Sequence, residues 1–175
     1  MTSTSSIYER MLGALRLDAA TYEQIEADEK ATGEAAFVVV ASAIVAAAGY
    51  ALALGGTVNA GLLGAIAELI GWAIFAWVSW LVGTKLIPGQ HTKSSWGEIA
   101  RTTGYAHMPR FLLILVAIPG IIGIVRVVVA FWILAAAVVA LRQALDITTM
   151  RAVVVGAIAL LVQYAVASFI IGSIG

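Results

Sequence analysis

The stretch AAFVVVASAIVAAAGYALAL, residues 35–54, contains twenty residues in a row without a charged side chain. A helix of about 20 apolar residues is long enough to cross the hydrocarbon core of a bilayer. The whole chain has the same character, since 62% of its 175 residues are hydrophobic, 11% are charged and the mean hydropathy is +1.00. A soluble chain of this length could not hide so much apolar surface from water. The sequence therefore predicts an all-α fold, a polytopic membrane helix bundle.

Five transmembrane helices are predicted from the apolar stretches. Residues 60–82 and 152–171 are each long enough for one span. Residues 111–140 are apolar except for Arg126, but one helix of that length would be about 45 Å long, well beyond a core of about 30 Å. Pro119-Gly120 supplies a break, so we divide this region in two. The predicted spans are about 35–54, 60–82, 106–121, 124–140 and 152–171, in a membrane domain of residues 35–175.

The positive charges indicate the orientation of these spans. If the N-terminus lies inside, nine of the ten Lys and Arg residues fall in inside segments, and only Arg126 falls outside. Cytoplasmic loops carry such an excess of Lys and Arg. We therefore expect a cell (inner) membrane location with a cytoplasmic N-terminus and an external C-terminus. Because ten acidic residues balance the ten basic ones, the chain has no net charge that would favour a nucleic-acid partner.

Residues 1–34 are polar and form the predicted cytoplasmic N-terminal segment. They contain seven acidic residues and no basic start followed by an apolar stretch, so we expect no cleavable signal. Ser6 and Glu9 fit a capping box, and Ile7, Met11 and Leu15 form an apolar stripe at helical spacing. We predict short amphipathic helices here. They either lie on the membrane or on a partner, or they pack on the inner face of the protein itself.

The longest predicted inside loop, residues 85–109, is a candidate partner-binding segment. Ser95 and Glu98 again fit a capping box, which predicts a short helix over 96–103. Trp96 is expected at the membrane interface, where tryptophan is favoured. A long polar loop can bind a partner, whereas a plain interfacial helix is the simpler interpretation. The candidate partner-binding residues are Trp96, Glu98, Arg101, Tyr105 and Pro109.

The sequence offers little for catalysis or metal binding. His91 and His107 are the only histidines, they lie sixteen residues apart, and the chain has no cysteine. The acidic residues between 23 and 29 lie on a helix that is expected to face water. Neither a Gly-rich phosphate-binding motif nor a Gly-x-Ser-x-Gly motif is present. We therefore predict no catalytic residue, no cofactor, no metal and no enzyme activity.

Three polar residues within the spans are candidates for an intramembrane site: Glu68, Arg126 and Gln163. An ionisable residue inside a span is costly, so Glu68 serves either as an ion or proton relay or as a structural carboxylate. Glu68 and Arg126 both lie toward the outer ends of their predicted spans, and we predict that they form an ion pair. The competing outcome has Arg126 reaching external water and Glu68 protonated and hydrogen-bonded to Gln163.

Several segments have the order and spacing of a known family. They are residues 14–18, 22–28 and 31–35 near the N-terminus, residues 96–109 before span three, the Pro119-Gly120 turn and Trp132 in span four. With these motifs the chain resembles the bacterial branch of the Yip family, five-span membrane proteins named for Ypt/Rab-interacting proteins. The resemblance implies a helical five-span domain with a cytoplasmic N-terminus.

The same resemblance implies a non-enzymatic membrane scaffold or partner-binding protein, in contact with the lipid bilayer and with a protein partner or a second copy of itself. Eukaryotic members bind small GTPases in vesicle traffic, and they carry an Asp-Leu-Tyr-Gly-Pro motif in a long N-terminus. That motif does not occur here, which favours a bacterial source. The alternative function is a small transporter or channel component that uses Glu68 within the membrane.

Overall fold

The computed structural model describes residues 6–174, without the side chains of residues 58, 60 and 170–174. Residues 1 and 175, which define the predicted orientation, lie outside this range. The α-helices are α1 (Ile7–Leu15), α2 (Ala19–Ala27), α3 (Ala31–Leu54), α4 (Val58–Leu81), α5 (Trp96–Tyr105), α6 (Ile122–Ala144) and α7 (Thr149–Ile174). A π-helical turn (Val82–Leu86) extends α4, and a 3-10 segment (Met108–Ala117) follows α5. The all-α prediction is confirmed for the described residues.

Within residues 6–174, four helices are long and apolar enough to cross a membrane: Ala31–Leu54, Gly61–Leu86, Ile122–Ala144 and Thr149–Phe169. They coincide with four of the five predicted spans. The predicted span at about 106–121 is not a long α-helix but the 3-10 segment, with Pro109 near its start and Pro119 just past its end. The predicted break at Pro119-Gly120 is confirmed, because the chain turns there with Gly120 at a φ of +85°.

The 3-10 segment packs along α3 and runs in the same direction. Gly104, just before this segment, contacts Ala35 near the start of α3. Further along, Leu113 and Ile114 contact Gly49, which lies in the second half of α3. A Cβ atom at either glycine would collide with the segment packed against it, so the absence of a side chain permits this close approach. At about 2.0 Å per residue the ten residues of the 3-10 segment cover about 20 Å.

Helix α5 runs beside the second half of α4, in the opposite direction. The Trp80 indole donates a hydrogen bond to the carbonyl of Ser94 (3.1 Å), just before α5, and the Trp72 indole donates to the carbonyl of Ala100 within it (3.1 Å). Residues 99–105 are buried. The capping box at Ser95 and Glu98 is confirmed. Beyond its first turn, α5 packs inside the bundle rather than on its surface.

Helices α1 and α2 form a layer on the bundle, here called the N-terminal layer (residues 7–27). The Trp132 indole on α6 donates to the carbonyl of Leu15 (3.0 Å), and the Gln143 amide donates to Glu23 (2.7 Å). Tyr22 of α2 is fully buried. Of the two interpretations left open by the sequence, packing on the protein itself is therefore confirmed.

The buried face of α1 differs from the predicted apolar stripe. The capping box at Ser6 and Glu9 is confirmed. Arg10 and Ala14 are the buried residues of α1, however, whereas Ile7 is exposed. The stripe is displaced because a charged side chain, Arg10, points into the protein and finds acidic partners there.

Candidate functional site

Glu68 on α4 lies where the chain passes from α5 into the 3-10 segment. Nη1 of Arg110 donates to Oε1 of Glu68 at 2.8 Å. Nε2 of His107 lies 3.4 Å from the same oxygen. All three side chains are more than half buried, so their charges are weakly screened by solvent. We call Glu68, His107 and Arg110 the polar cluster.

The local helix type explains why His107 and Arg110 reach one carboxylate. A 3-10 helix has three residues per turn, so side chains at positions i and i+3 lie directly above one another. The backbone N–H of Arg110 donates to the carbonyl of His107 at 2.9 Å, as this geometry requires. Both side chains therefore point to the same side of the segment, toward α4.

A hydrogen bond to the backbone of α5 fixes the orientation of the His107 ring. Nδ1 lies 2.9 Å from the carbonyl oxygen of Thr103. A carbonyl oxygen only accepts, so Nδ1 carries a hydrogen and donates. Nε2, on the other side of the same ring, faces Oε1 of Glu68.

The predicted ion pair between Glu68 and Arg126 is wrong. Arg126 is exposed on α6, and no carboxylate of the described residues lies within 4.0 Å of it. The prediction failed because it placed Arg110 at the inner end of a span, whereas α5 carries the chain along α4 to the level of Glu68. The competing hydrogen bond to Gln163 is not observed either, since the contacts of Glu68 are with Arg110 and His107.

Gln163 belongs to the surroundings of the polar cluster. Its amide lies against Gly71, three residues beyond Glu68 on α4. Both Gln163 and the polar cluster line a cavity of about 930 Å³ between α4, α6 and α7, next to the end of α5. Apart from these groups and Thr103, the walls are apolar side chains. The sequence thus identified two of the polar lining residues, Glu68 and Gln163, but not that Arg110 and His107 join them.

The candidate partner-binding residues divide into two groups. Trp96 is exposed and Glu98 partly so, whereas Arg101, Tyr105 and Pro109 are buried. Nη2 of Arg101 donates to the carbonyl of Glu26 on α2 at 2.6 Å. The buried members therefore hold α5 to its neighbours, and direct contact with a partner is open to Trp96 and Glu98.

Arg10 joins the N-terminal layer to the membrane helices, a role that sequence reasoning missed. Its guanidinium donates to Asp28 at 2.5 Å and to Glu34 on α3 at 3.1 Å, and its exposed fraction is 3%. Glu34 also accepts from the hydroxyl of Tyr105 at 2.5 Å. The hydrogen bond from Arg10 lowers the pKa of Asp28, which keeps this carboxylate charged. Nothing in the sequence distinguishes Arg10 from Arg16, which directly follows the same helix.

Glu26 lies among other acidic groups between α2, α5 and the end of α6. Burial raises its pKa to about 7, and the negative charges of Glu98, Asp146 and Glu23 add to this effect, while Arg101 opposes it. A clustering of three His, Asp or Glu residues that could hold a metal ion is not found among residues 6–174. The carboxyl group of Glu26 therefore gains or loses its proton near neutral pH.

Replacing either member of the Glu68–Arg110 pair should destabilise the protein. Glu68→Gln and Arg110→Gln each leave a partly buried group without its charged partner, which costs about 1–3 kcal/mol. The double variant should lose less than the sum of the two, as measured by thermal unfolding in detergent. Glu68→Gln combined with Arg126→Gln is the matched control and should be additive. Additive losses for Glu68 and Arg110 would contradict the pair.

The raised pKa of Glu26 should make stability depend on pH. The folded protein keeps this proton up to about pH 7, whereas the unfolded chain releases it near 4.5, so stability falls as the pH rises through this window. Glu26→Gln removes the effect. The melting temperature of this variant should exceed that of the wild type by a difference that grows from pH 5 to pH 7 and stays constant at higher pH. Glu29→Gln, at an exposed neighbouring position, should follow the wild type. Parallel curves for wild type and Glu26→Gln would exclude this role.

Comparison with known protein families shows what the chain is similar to. The model of the Yip1 domain matches residues 12–170. This range contains the polar cluster, the cavity and most of the N-terminal layer. None of the curated proteins and none of the solved structures matches the chain. Together with four apolar helices of membrane-crossing length, the match identifies a multi-pass membrane protein, and the chain belongs to the Yip1-domain family.

Proposed function

We propose that this protein is a non-enzymatic membrane scaffold that presents its N-terminal layer to a protein partner. The observation that carries the proposal is the way this layer is held. Arg10, Arg101 and Trp132 fix α1 and α2 to α3, α5 and α6 through buried or partly buried side chains. The opposite side of the layer remains exposed. A surface that is rigid before binding loses little conformational freedom on binding.

The composition of this surface indicates the kind of partner. Residues 1–34 contain seven acidic residues but only Arg10, Arg16 and Lys30 as basic ones, and Arg10 is buried. The exposed side of α1 presents Tyr8, whose exposed fraction is 66%, next to Glu9. Tyrosine is enriched at protein interfaces, and acidic surroundings favour a basic partner. We therefore infer a partner with a basic surface rather than anionic lipid.

We further propose that the chain crosses the membrane five times, with α5 and the 3-10 segment together making the third crossing. The contacts with Trp80 at one end and with Gly49 at the other support this path. Ten α-helical and ten 3-10 residues cover about 35 Å, enough for a core of about 30 Å. Non-helical backbone is tolerated at membrane depth where protein surrounds it. Protein also surrounds the polar residues of α5, since residues 99–105 are buried.

Five crossings place the two ends of the chain on opposite sides. The excess of Lys and Arg in the predicted inside segments supports a cytoplasmic segment 1–34, a membrane domain 35–175 and a bacterial cell (inner) membrane. Reporter fusions should report the N-terminus as cytoplasmic and the C-terminus as external. A fusion at residue 175 that is active only in the cytoplasm would refute the fifth crossing.

Site-specific photo-crosslinking tests the scaffold function. A photoreactive phenylalanine analogue at Tyr8 should give a defined adduct in cells, because this side chain projects from the rigid layer. The same analogue at Tyr164, an exposed tyrosine on α7 (75%), is the matched control and should not give that adduct. An adduct of twice 18.2 kDa identifies a second copy as the partner. Equal adducts at both positions, or none at Tyr8, would count against the proposal.

The alternative of a transporter or channel has less support. A relay carboxylate must exchange its proton or ion, whereas Glu68 is held by Arg110 and His107. These contacts favour the interpretation of Glu68 as a structural carboxylate over that of an ion or proton relay.

A further inference from the structure

We propose that the cavity between α4, α6 and α7 binds a single-chain amphiphile with an anionic head, a molecule of the fatty-acid type. The cavity volume of about 930 Å³ lies at the upper end of the range that is usual for ligand sites. Its long walls are apolar, and its polar residues are few and include the polar cluster. An apolar chain beside one charged head matches this distribution.

The guanidinium of Arg110 is the group that would hold the head. It meets Glu68 through Nη1 alone, and its Nε is buried without a hydrogen-bond partner in the described structure. Guanidinium groups bind planar two-oxygen anions through paired N–H groups. With one of its N–H groups matched to Glu68, Arg110 has donors left for a carboxylate after a small shift of the side chain. The amide of Gln163, also in the lining, adds a further donor.

The free donors of the guanidinium favour an anion over a neutral head. The Nε of Arg110 is buried without a hydrogen-bond partner among the described residues. Paired N–H groups of a guanidinium match the two oxygens of a carboxylate, whereas a hydroxyl or an ester offers no such pair.

The position of the cavity gives a lipid-derived molecule access to it. Phe131 on α6 and Leu160 on α7 line the cavity and are also exposed on the outer surface of the bundle. In a membrane this surface contacts lipid, so the cavity is entered sideways from the bilayer rather than from water.

Native mass spectrometry of delipidated protein in detergent tests the proposal with oleate as the probe. One oleate per chain should bind, and oleyl alcohol, which has the same chain and a neutral head, should bind at least about tenfold more weakly. Acetate, a head without a chain, should not compete. Equal binding of oleate and oleyl alcohol would overturn the proposal, and so would binding of phosphatidylglycerol to protein that does not bind oleate.

Two pairs of variants locate the site. Arg110→Gln should weaken oleate binding at least about tenfold, whereas Arg126→Gln, a change of an arginine outside the cavity, should not. Ala157→Trp places a large side chain in the cavity without touching the polar cluster and should also abolish binding, whereas Ala165→Trp, on the same helix outside the cavity, should leave it intact. Unchanged binding in Arg110→Gln or in Ala157→Trp would place the oleate elsewhere. If a variant does not fold, the comparison of oleate with oleyl alcohol on the wild type still decides.

Discussion

The polar helix α5 is buried on most sides, and the surrounding structure is arranged around its hydrogen bonds. The hydroxyls of Thr102 and Thr103 donate back to carbonyls of the preceding turn. Trp72 supplies a donor from α4, and the carbonyl of Glu26 accepts from Arg101. Buried polar groups without partners would each cost about 1–3 kcal/mol. The packing of α5 therefore requires α2 and α4 to lie where they do.

Two groups of ionisable side chains follow from this central position. At the end of α5, Tyr105 meets Glu34, which Arg10 also holds, so that α1, α3 and α5 share one carboxylate. The hydroxyl of Tyr105 is the donor in this contact. A few residues later, His107 and Arg110 converge on Glu68. The first group ties the N-terminal layer to the bundle, and the second ties the 3-10 segment to α4.

Features that depend on residues close together in the sequence were predicted correctly. Hydropathy identified four long helices, both capping boxes were found from a serine and a glutamate three residues apart, and Pro119-Gly120 marked the break before α6. The predictions that failed concern contacts between segments that are distant in the sequence. The segment WGEIARTTGY has the composition of a surface helix, because hydropathy counts side chains and not the partners that satisfy them. If α5 lay at the interface, Arg110 would lie far from Glu68. The sequence therefore pointed to Arg126 as the partner of Glu68.

The contact between the N-terminal layer and α6 has a consequence for the order of synthesis. Helices α1 and α2 leave the ribosome first, but part of their docking surface is formed by Trp132 and Gln143, which are made more than a hundred residues later. Membrane helices are inserted as they are made, so α3 and α4 enter the bilayer while the docking surface of the first two helices is still incomplete. The earliest part of the chain thus completes its folding after α6 has been inserted. Throughout that interval, the apolar sides of Tyr22 and Ile25 are accessible to chaperones of the nascent chain.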